Sequence, residues 1–517
     1  GSEMCIRDRG EEGVPTMEEY LYENVFEHGT VGFDGRVMNT ALVEKLADKL
    51  QAKKSTFACE EDLVGMIWKD RPALPKKKGF FLEECYSGES TKEKLKRIRA
   101  VLKQEKATHH IVTSLDDIAW ILNMRGWDIA HFPVMLSYLI IDENSASLYI
   151  NESKLDDQLR DNLQENAIVI CPYDAIYEDV KKIAQDAVVL LDKTIVNYAI
   201  TSGLHKEITV INRPNPSQLM KAMKNPIELA NNRKAHIKDA IAMCKFMYWL
   251  KAKIGKETIT EISASAYLET LRKEQGCFDI SFDTISAYKE HAAMMHYSAN
   301  EETNAELKPE GMLLVDSGAQ YLEGTTDITR TFVLGAISDE IKHHFTTALR
   351  SHIALSKAHF LYGCRGLNLD ILARGPLWDL ALDYKCGTGH GVGHVLNVHE
   401  GPNGFRWRIV PERNDSCVLE EGMTQSNEPG VYVEGSHGIR HENEMVVCKG
   451  EKNEYGQFMY FETITFVPFD LDGIDASLLT QYEKAWLNAY HQEVYEKISP
   501  YLKEEEQSWL REATRAI

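Results

Sequence analysis

The chain contains no apolar run approaching the length of a membrane span. It has no C-x-x-C pair, and its ten cysteines are scattered from Cys5 to Cys448. That usage speaks against a disulfide framework and fits reduced thiols in a cytoplasmic protein. Cations are in short supply: 58 Lys and Arg stand against 79 Asp and Glu, a formal net charge of −21. Nucleic acid is therefore not an expected partner, because there is no surplus of positive charge to neutralise phosphates. Anionic membranes are disfavoured for the same reason. The acidity itself is read as an aid to solubility. The N-terminus lacks the hydrophobic stretch of a signal peptide, and no repeat or low-complexity tract is evident. Gly1-Ser2 resembles a cloning remnant, and residues 1–12 are set aside as a leader outside the fold.

What is present is an ordinary globular mixture, 44% hydrophobic and 26% charged, over 517 residues. That length is too great for one core. Two stretches rich in Pro, Gly, Lys or Asn, WKDRPALPKKKG (68–79) and INRPNPSQLMKAMKNP (211–226), read as boundaries. They divide the chain into 13–78, 79–222 and 223–517, with an amphipathic helical tail from about 470. The first piece has a helical pattern over 39–52, with Leu42, Val43, Leu46 and Leu50 on one face. In the second, Ser90 and Glu93 resemble a capping box, 109–114 reads as a buried strand, and a helix from 115 is stopped by Gly126. YLIID and SLYIN pair around Glu143-Asn144. The third opens with helices over 228–254 and 262–275. Strand and turn patterns follow to 335, then helices over 339–361 and 368–383, then strands from 386 to 468. The class is α/β (α+β).

Every candidate for chemistry lies in the third piece. Asp316 closes the strand-like MLLVD, and Asp327 precedes another strand, ITRTFVLG. A turn at Glu323-Gly324 would make these a hairpin with the aspartates side by side, although either Asp alone also reads as a turn cap. GTGHGVGH (387–394) fails the G-x-G-x-x-G spacing and lacks the Glu that an H-E-x-x-H zinc helix needs after His390. It reads instead as a glycine-lined segment whose backbone approaches a ligand, with His394 structural. Glu428 precedes Pro-Gly. Glu442 alternates with Arg440 and Glu444, a face that in isolation reads as solvated. Taken together, Asp316, Asp327, His390, Glu428 and Glu442 form an oxygen-rich, hard donor set suited to Mn²⁺, Co²⁺, Fe²⁺ or Zn²⁺. Four carboxylates crowded together would repel, and two divalent cations would balance their −4. The set reads as a dinuclear hydrolase site.

In this order the segments SFDTISAY (281–288), MMHYS (294–298), DSGAQYLEGTTDITRT (316–331), GTGHGVGHVLNVHEGP (387–402), NEPG (427–430) and GIRHEN (438–443) resemble the pita-bread metallopeptidases. The stretches 62–72 and 114–134 narrow the resemblance to the three-domain, cytosolic aminopeptidase P type. It covers nearly the whole chain after residue 12, with a first domain shorter than the family's. The resemblance implies a pita-bread catalytic domain behind two creatinase-N-terminal-like α/β domains, the first shortened. It implies two divalent metals, Mn²⁺ foremost: Asp316 on one, Asp327 and Glu442 bridging, His390 and Glu428 on the other. Glu428 would also shuttle the proton. His296 and His399 would bind substrate and stabilise the oxyanion, and Arg440 would support a ligand or contact substrate. The activity implied is hydrolysis of the bond between an N-terminal residue and a following proline, by a cytoplasmic homodimer. Prolidase shares the ligands and is the alternative; a non-catalytic peptide-binding pita-bread module is the rival from another class.

Overall fold

Polar caps mark where helices begin. Asn39 accepts from the Leu42 amide at the head of α1 (Thr40–Ala52), and Ser90 from the Glu93 amide at the head of α2 (Thr91–Glu105). Each bond satisfies an amide that has no partner inside its helix. Val43, Leu46 and Leu50 of α1 are buried as their spacing predicts, while Leu42 is half-buried. The computed structural model describes residues 15–410 and 413–517, so the leader expected over 1–12 lies outside the described residues.

The described chain packs as two compact units. The first takes the residues up to Glu83, then Glu89–Ile129 and Val134–Gln218. Its centre is a six-stranded mixed sheet of β1 (His109–Val112), β2 (Ser137–Asp142), β3 (Ala146–Ile150), β4 (Ile168–Cys171), β5 (Val188–Leu191) and β6 (Thr209–Asn212). The strands lie in the order β6-β5-β1-β2-β3-β4. β2 and β3 form the hairpin expected around Glu143-Asn144, with Ser137 opposite Ile150. One expectation is corrected here. The helix from Leu115 ends at Ile121 rather than running to Gly126. Asn123 takes a left-handed φ of 51°, which Asn tolerates better than most residues, and its buried side chain accepts from Lys94 Nζ at 2.6 Å. Met124–Arg125 then pairs as a strand with Phe80–Phe81.

The second unit is Glu84–Gly88, Ala130–Pro133 and Leu219–Ile517. Two helices, α3 (Pro226–Lys253) and α4 (Glu261–Glu274), precede an antiparallel sheet of β7 (Ile285–Tyr288), β8 (Met312–Ser317) and β9 (Ile328–Val333), with β8 central. A second helix pair, α5 (Asp339–Ser356) and α6 (Gly366–Trp378), follows. α5 stops short of the expected residue 361 because His359–Leu361 is an edge strand. Then come β10 (Gly389–His390), β11 (Thr424–Asn427), β12 (Gly430–Val433), β13 (His437–Arg440), β14 (Asn443–Asn453) and β15 (Gly456–Thr463). The edge strand, β15, β14 and β11 make a four-stranded sheet. One apolar core joins Phe246 of α3, Leu268 of α4, Val315 of β8, Phe332 of β9, Phe345 of α5 and Leu377 of α6. The tail helix α7 (Gln481–Ile498) adds Leu487, Tyr490 and Val494 to that same core, so it packs on its own unit.

Candidate metal centre

β8 and β9 form the anticipated hairpin. Asp316 lies opposite Thr329 and Ser317 opposite Ile328, which leaves Asp327 at the mouth of β9 beside the end of β8. Tyr321 pairs with Gly324 across the intervening turn. From the other half of the unit, β13 delivers Arg440 and the step into β14 delivers Glu442 and Glu444. Strand alternation does place these three on one face. That face is interior: the residues are 3%, 1% and 0% exposed. Read alone, the pattern would have put Glu442 in solvent, and the fold excludes that.

His390 arrives on β10, whose glycines are required by close backbone contacts. A Cβ on Gly389 would sit 2.0 Å from the Ser426 carbonyl oxygen, and one on Gly391 2.1 Å from that of Glu400. At these two glycines the close approach is to the protein's own backbone. It lets β10 lie against β11, where the His390 amide donates to Ser426 Oγ at 3.0 Å. The Ser426 hydroxyl in turn donates to Glu428 Oε1 at 3.0 Å.

The side chains converge. His390 Nε2 lies 3.3 Å from Glu428 Oε1 and 3.5 Å from Asp327 Oδ2. One donor atom from each of Asp327, His390 and Glu442 falls within 4.8 Å of the others. Asp316 Oδ2 accepts from Arg440 Nη2 at 2.6 Å. Thr329 links the two sides, donating to Glu442 Oε2 at 2.7 Å and accepting from Arg440 Nε at 3.1 Å. Arg440 also donates to the Tyr432 hydroxyl.

This cluster has the signature of a cation site. Asp316 Oδ1 and Asp327 Oδ1 are buried without a hydrogen-bond partner, a costly state for a carboxylate oxygen. Burial, then the charges of Asp316, Glu428 and Glu444, push the Asp327 carboxyl well above its usual range. Burial, then Asp327, Glu428 and Asp316, do the same to Glu442. Such groups hold either protons or cations. Oxygen donors with a single imidazole fit divalent first-row ions.

The remaining histidines divide into two kinds. The ring of His399 meets that of His390 edge to face, centroids 4.2 Å apart. The charge of His390, then burial, then His296 and Arg406, push the His399 imidazole down to about 3. His296 is exposed on the loop after β7 and close enough to act electrically on His399. Glu400, next to His399, is buried and paired with Lys224 Nζ at 2.6 Å and Lys221 Nζ at 3.5 Å. His394 is structural, with Nδ1 at 2.7 Å from Asn232 Oδ1 and Nε2 at 3.0 Å from the Tyr86 carbonyl oxygen.

Comparison with known proteins agrees with this architecture. Residues 70–228 match the creatinase/prolidase N-terminal domain, 230–449 metallopeptidase family M24, and 457–517 the C-terminal region of M24 peptidases. A probable Xaa-Pro aminopeptidase P from Laccaria bicolor is 38% identical over 520 residues, covering 98% of this chain and 80% of the relative. The chain belongs to the aminopeptidase P family. The crystal structure of an X-prolyl aminopeptidase from Caenorhabditis elegans, described as a cytosolic enzyme with a di-nuclear active site, superposes with a TM-score of 0.92. It is 33% identical, and the match covers 98% of this chain and 84% of that one. A Xaa-Pro dipeptidase from Bacillus anthracis, 23% identical, matches 74% of this chain and 99% of its own with a TM-score of 0.57, a likeness of fold alone. The fold is thus a pita-bread catalytic domain behind a creatinase-type α/β domain, and this aminopeptidase P family member is a metallohydrolase.

Several residues that build the site escaped sequence reading. Glu444 Oε1 accepts from the Asp327 amide at 2.8 Å and lies 3.1 Å from His236 Nε2. Burial alone would lower the His236 imidazole, but Glu444 outweighs it and the net shift is upward. Thr329 and Ser426 were also passed over. A signal for His236 exists: Asn232, His236 and Asp239 recur at helical spacing on α3, and all three are buried. A polar stripe on a buried helix face marks groups that need partners.

Proposed function

We propose that the chain is a Xaa-Pro aminopeptidase that uses two divalent metal ions, Mn²⁺ the first candidate, to cleave peptides after an N-terminal residue followed by proline. The observation that carries this reading is the meeting of five acidic and imidazole side chains, from four separate segments, in one cluster of an aminopeptidase P family member, with Asp316, Asp327 and Glu442 buried and His390 and Glu428 half-buried. Asp316 would hold one ion, Asp327 and Glu442 both, and His390 and Glu428 the other. Bound divalent ions supply an acidified water and polarise a carbonyl.

The chain's own groups do the rest. Glu428, held by Ser426, takes the proton of the attacking water and passes it to the departing proline nitrogen. His399 presents a neutral imidazole at working pH, because its surroundings hold it unprotonated. Neutral, it can donate one hydrogen bond to the developing oxyanion without repelling the cations. His296, exposed beside it, contacts the peptide. Of the two roles open to Arg440, support of Asp316 is the one its contacts favour. It is buried, and its donors go to Asp316, Thr329 and Tyr432. The Xaa-Pro bond lacks an N–H, so recognition must rest on ring shape and on protonation of the leaving nitrogen.

By the same resemblance we assign the protein to the cytoplasm as a homodimer. The exposed Ile371, Leu372 and Trp378 of α6 and the following Leu380 offer an apolar face for self-association, which sedimentation velocity would read.

The deciding experiment strips the protein with EDTA, restores Mn²⁺, and compares Xaa-Pro-Yaa tripeptides with Xaa-Pro dipeptides. Cleavage of tripeptides, lost on stripping and regained with metal, is the expected outcome. Activity confined to dipeptides would make the protein a prolidase. Neither metal uptake nor cleavage would leave a peptide-binding module.

A further inference from the structure

Outside the metal cluster, one buried carboxylate has all of its acceptor capacity spent on a single stretch of chain. Glu261, in the first turn of α4, is 0% exposed. Its Oε1 accepts from the Tyr288 amide at 2.7 Å and faces His291 Nδ1 at 2.9 Å. Its Oε2 accepts from the Tyr297 hydroxyl at 2.9 Å and from the Ala305 amide at 2.9 Å. A carboxylate offers about four such positions, and here all four are filled. The four donors bracket one segment, from the end of β7 at Tyr288 to Ala305, and His296 lies inside it.

The segment is held from a second side. A Cβ on Gly438 of β13 would fall 1.7 Å from the Ala292 carbonyl oxygen, so β13 lies directly on the turn before His296. β13 then runs into Arg440 and the Asp316 ion pair. Between these supports the rings of His291 and Tyr297 stack at 4.6 Å. His296 itself is exposed and immediately precedes Tyr297. An exposed histidine on a loop is free to wander unless the backbone beneath it is fixed, and here Glu261 and β13 fix it.

We infer that Glu261 is a positioning residue for His296, setting where that imidazole stands relative to His399 by fastening both ends of its loop. This rests on the proposed peptidase reading, in which His296 contacts substrate. A helix-initiating Glu of purely structural use would need one or two of these bonds, not four directed at one loop.

The test uses the full-length, metal-loaded enzyme and the variant E261Q. Gln keeps the shape but turns one oxygen into a donor facing donors. Metal content should stay at the wild-type level while kcat/KM on a Xaa-Pro-Yaa tripeptide falls about 10- to 100-fold, the usual cost of a misplaced contact. His296→Ala should show a loss of similar size. The double variant E261Q/H296A should then be no worse than H296A alone, since residues that act through one another do not add. Full activity in E261Q, or losses that multiply in the double variant, would overturn the inference. If E261Q does not fold, Tyr297→Phe removes one bond of the four. It should cost about two- to tenfold, again with no further loss on the H296A background, and multiplying losses would refute the idea equally.

A second readout needs no substrate. Amide hydrogen exchange in peptides covering 289–304 should quicken in the variant while exchange around β8 and β9 does not change. Unchanged protection in 289–304 would refute the role given to Glu261. If the wild type cleaves no proline peptide at all, the peptidase reading fails on its own, and the exchange arm still decides what Glu261 does.

Discussion

Glu444 supports the proposed metal cluster from beside it: one oxygen accepts from the Asp327 backbone amide, and that same oxygen sits against His236. Replacing it by Gln keeps the volume and removes the charge that balances His236. Metal affinity should fall about 10- to 100-fold, as is usual when a partner behind a ligand is lost, and competition with a chelating dye would measure it. Five ligand candidates were visible in the sequence because each sits in a dense motif of glycine, proline and polar residues. Glu444 was not visible. Alternation says that Arg440, Glu442 and Glu444 share a face, yet it is silent on whether that face meets water. His236 was hidden differently, inside a long helix whose buried side mixes Asn232, His236 and Asp239 with Phe246 and Met243.

At the scale of elements, the β8–β9 hairpin was legible from its turn residues, and the β10 segment was legible only in part. Its glycines were recognised as sites of close approach, but the Ser426 and Glu400 carbonyls they meet were not, because a sequence does not say what lies opposite. The pairing makes a direct prediction. Gly391→Ala puts a methyl against the Glu400 carbonyl oxygen, backbone that cannot step aside. A loss of about 2–3 kcal/mol is expected from such overpacking, read as a lower urea midpoint. His390 should shift with it, so metal uptake should weaken in the same variant. The ends of helices were the other point of failure. The apolar pattern of α5 runs on into the edge strand His359–Leu361, and Asn123 ends a helix through a buried bond to Lys94 that no local rule reveals.

Over the whole molecule, buried histidines set the response to acid. Burial pushes His110 down to about 4, and pushes His352 and His491 down to about 3. In the unfolded chain each would titrate near 6.5. Folded values depressed in this way contribute stability that is present above 6.5 and drains away as pH falls toward 3–4. At pH 5 each such group costs roughly 1–2 kcal/mol, so Tm should drop steadily from pH 7 to pH 5 in a thermal scan. Asp327 and Glu442 carry the opposite sign. Their raised values favour the metal-free fold at low pH and disfavour it as pH climbs. Metal binding at the proposed site would therefore compete with protons for the Asp327 and Glu442 oxygens. A fall in pH should therefore weaken metal uptake at the proposed site by competition for the same oxygens, which equilibrium dialysis across pH 5–8 would measure.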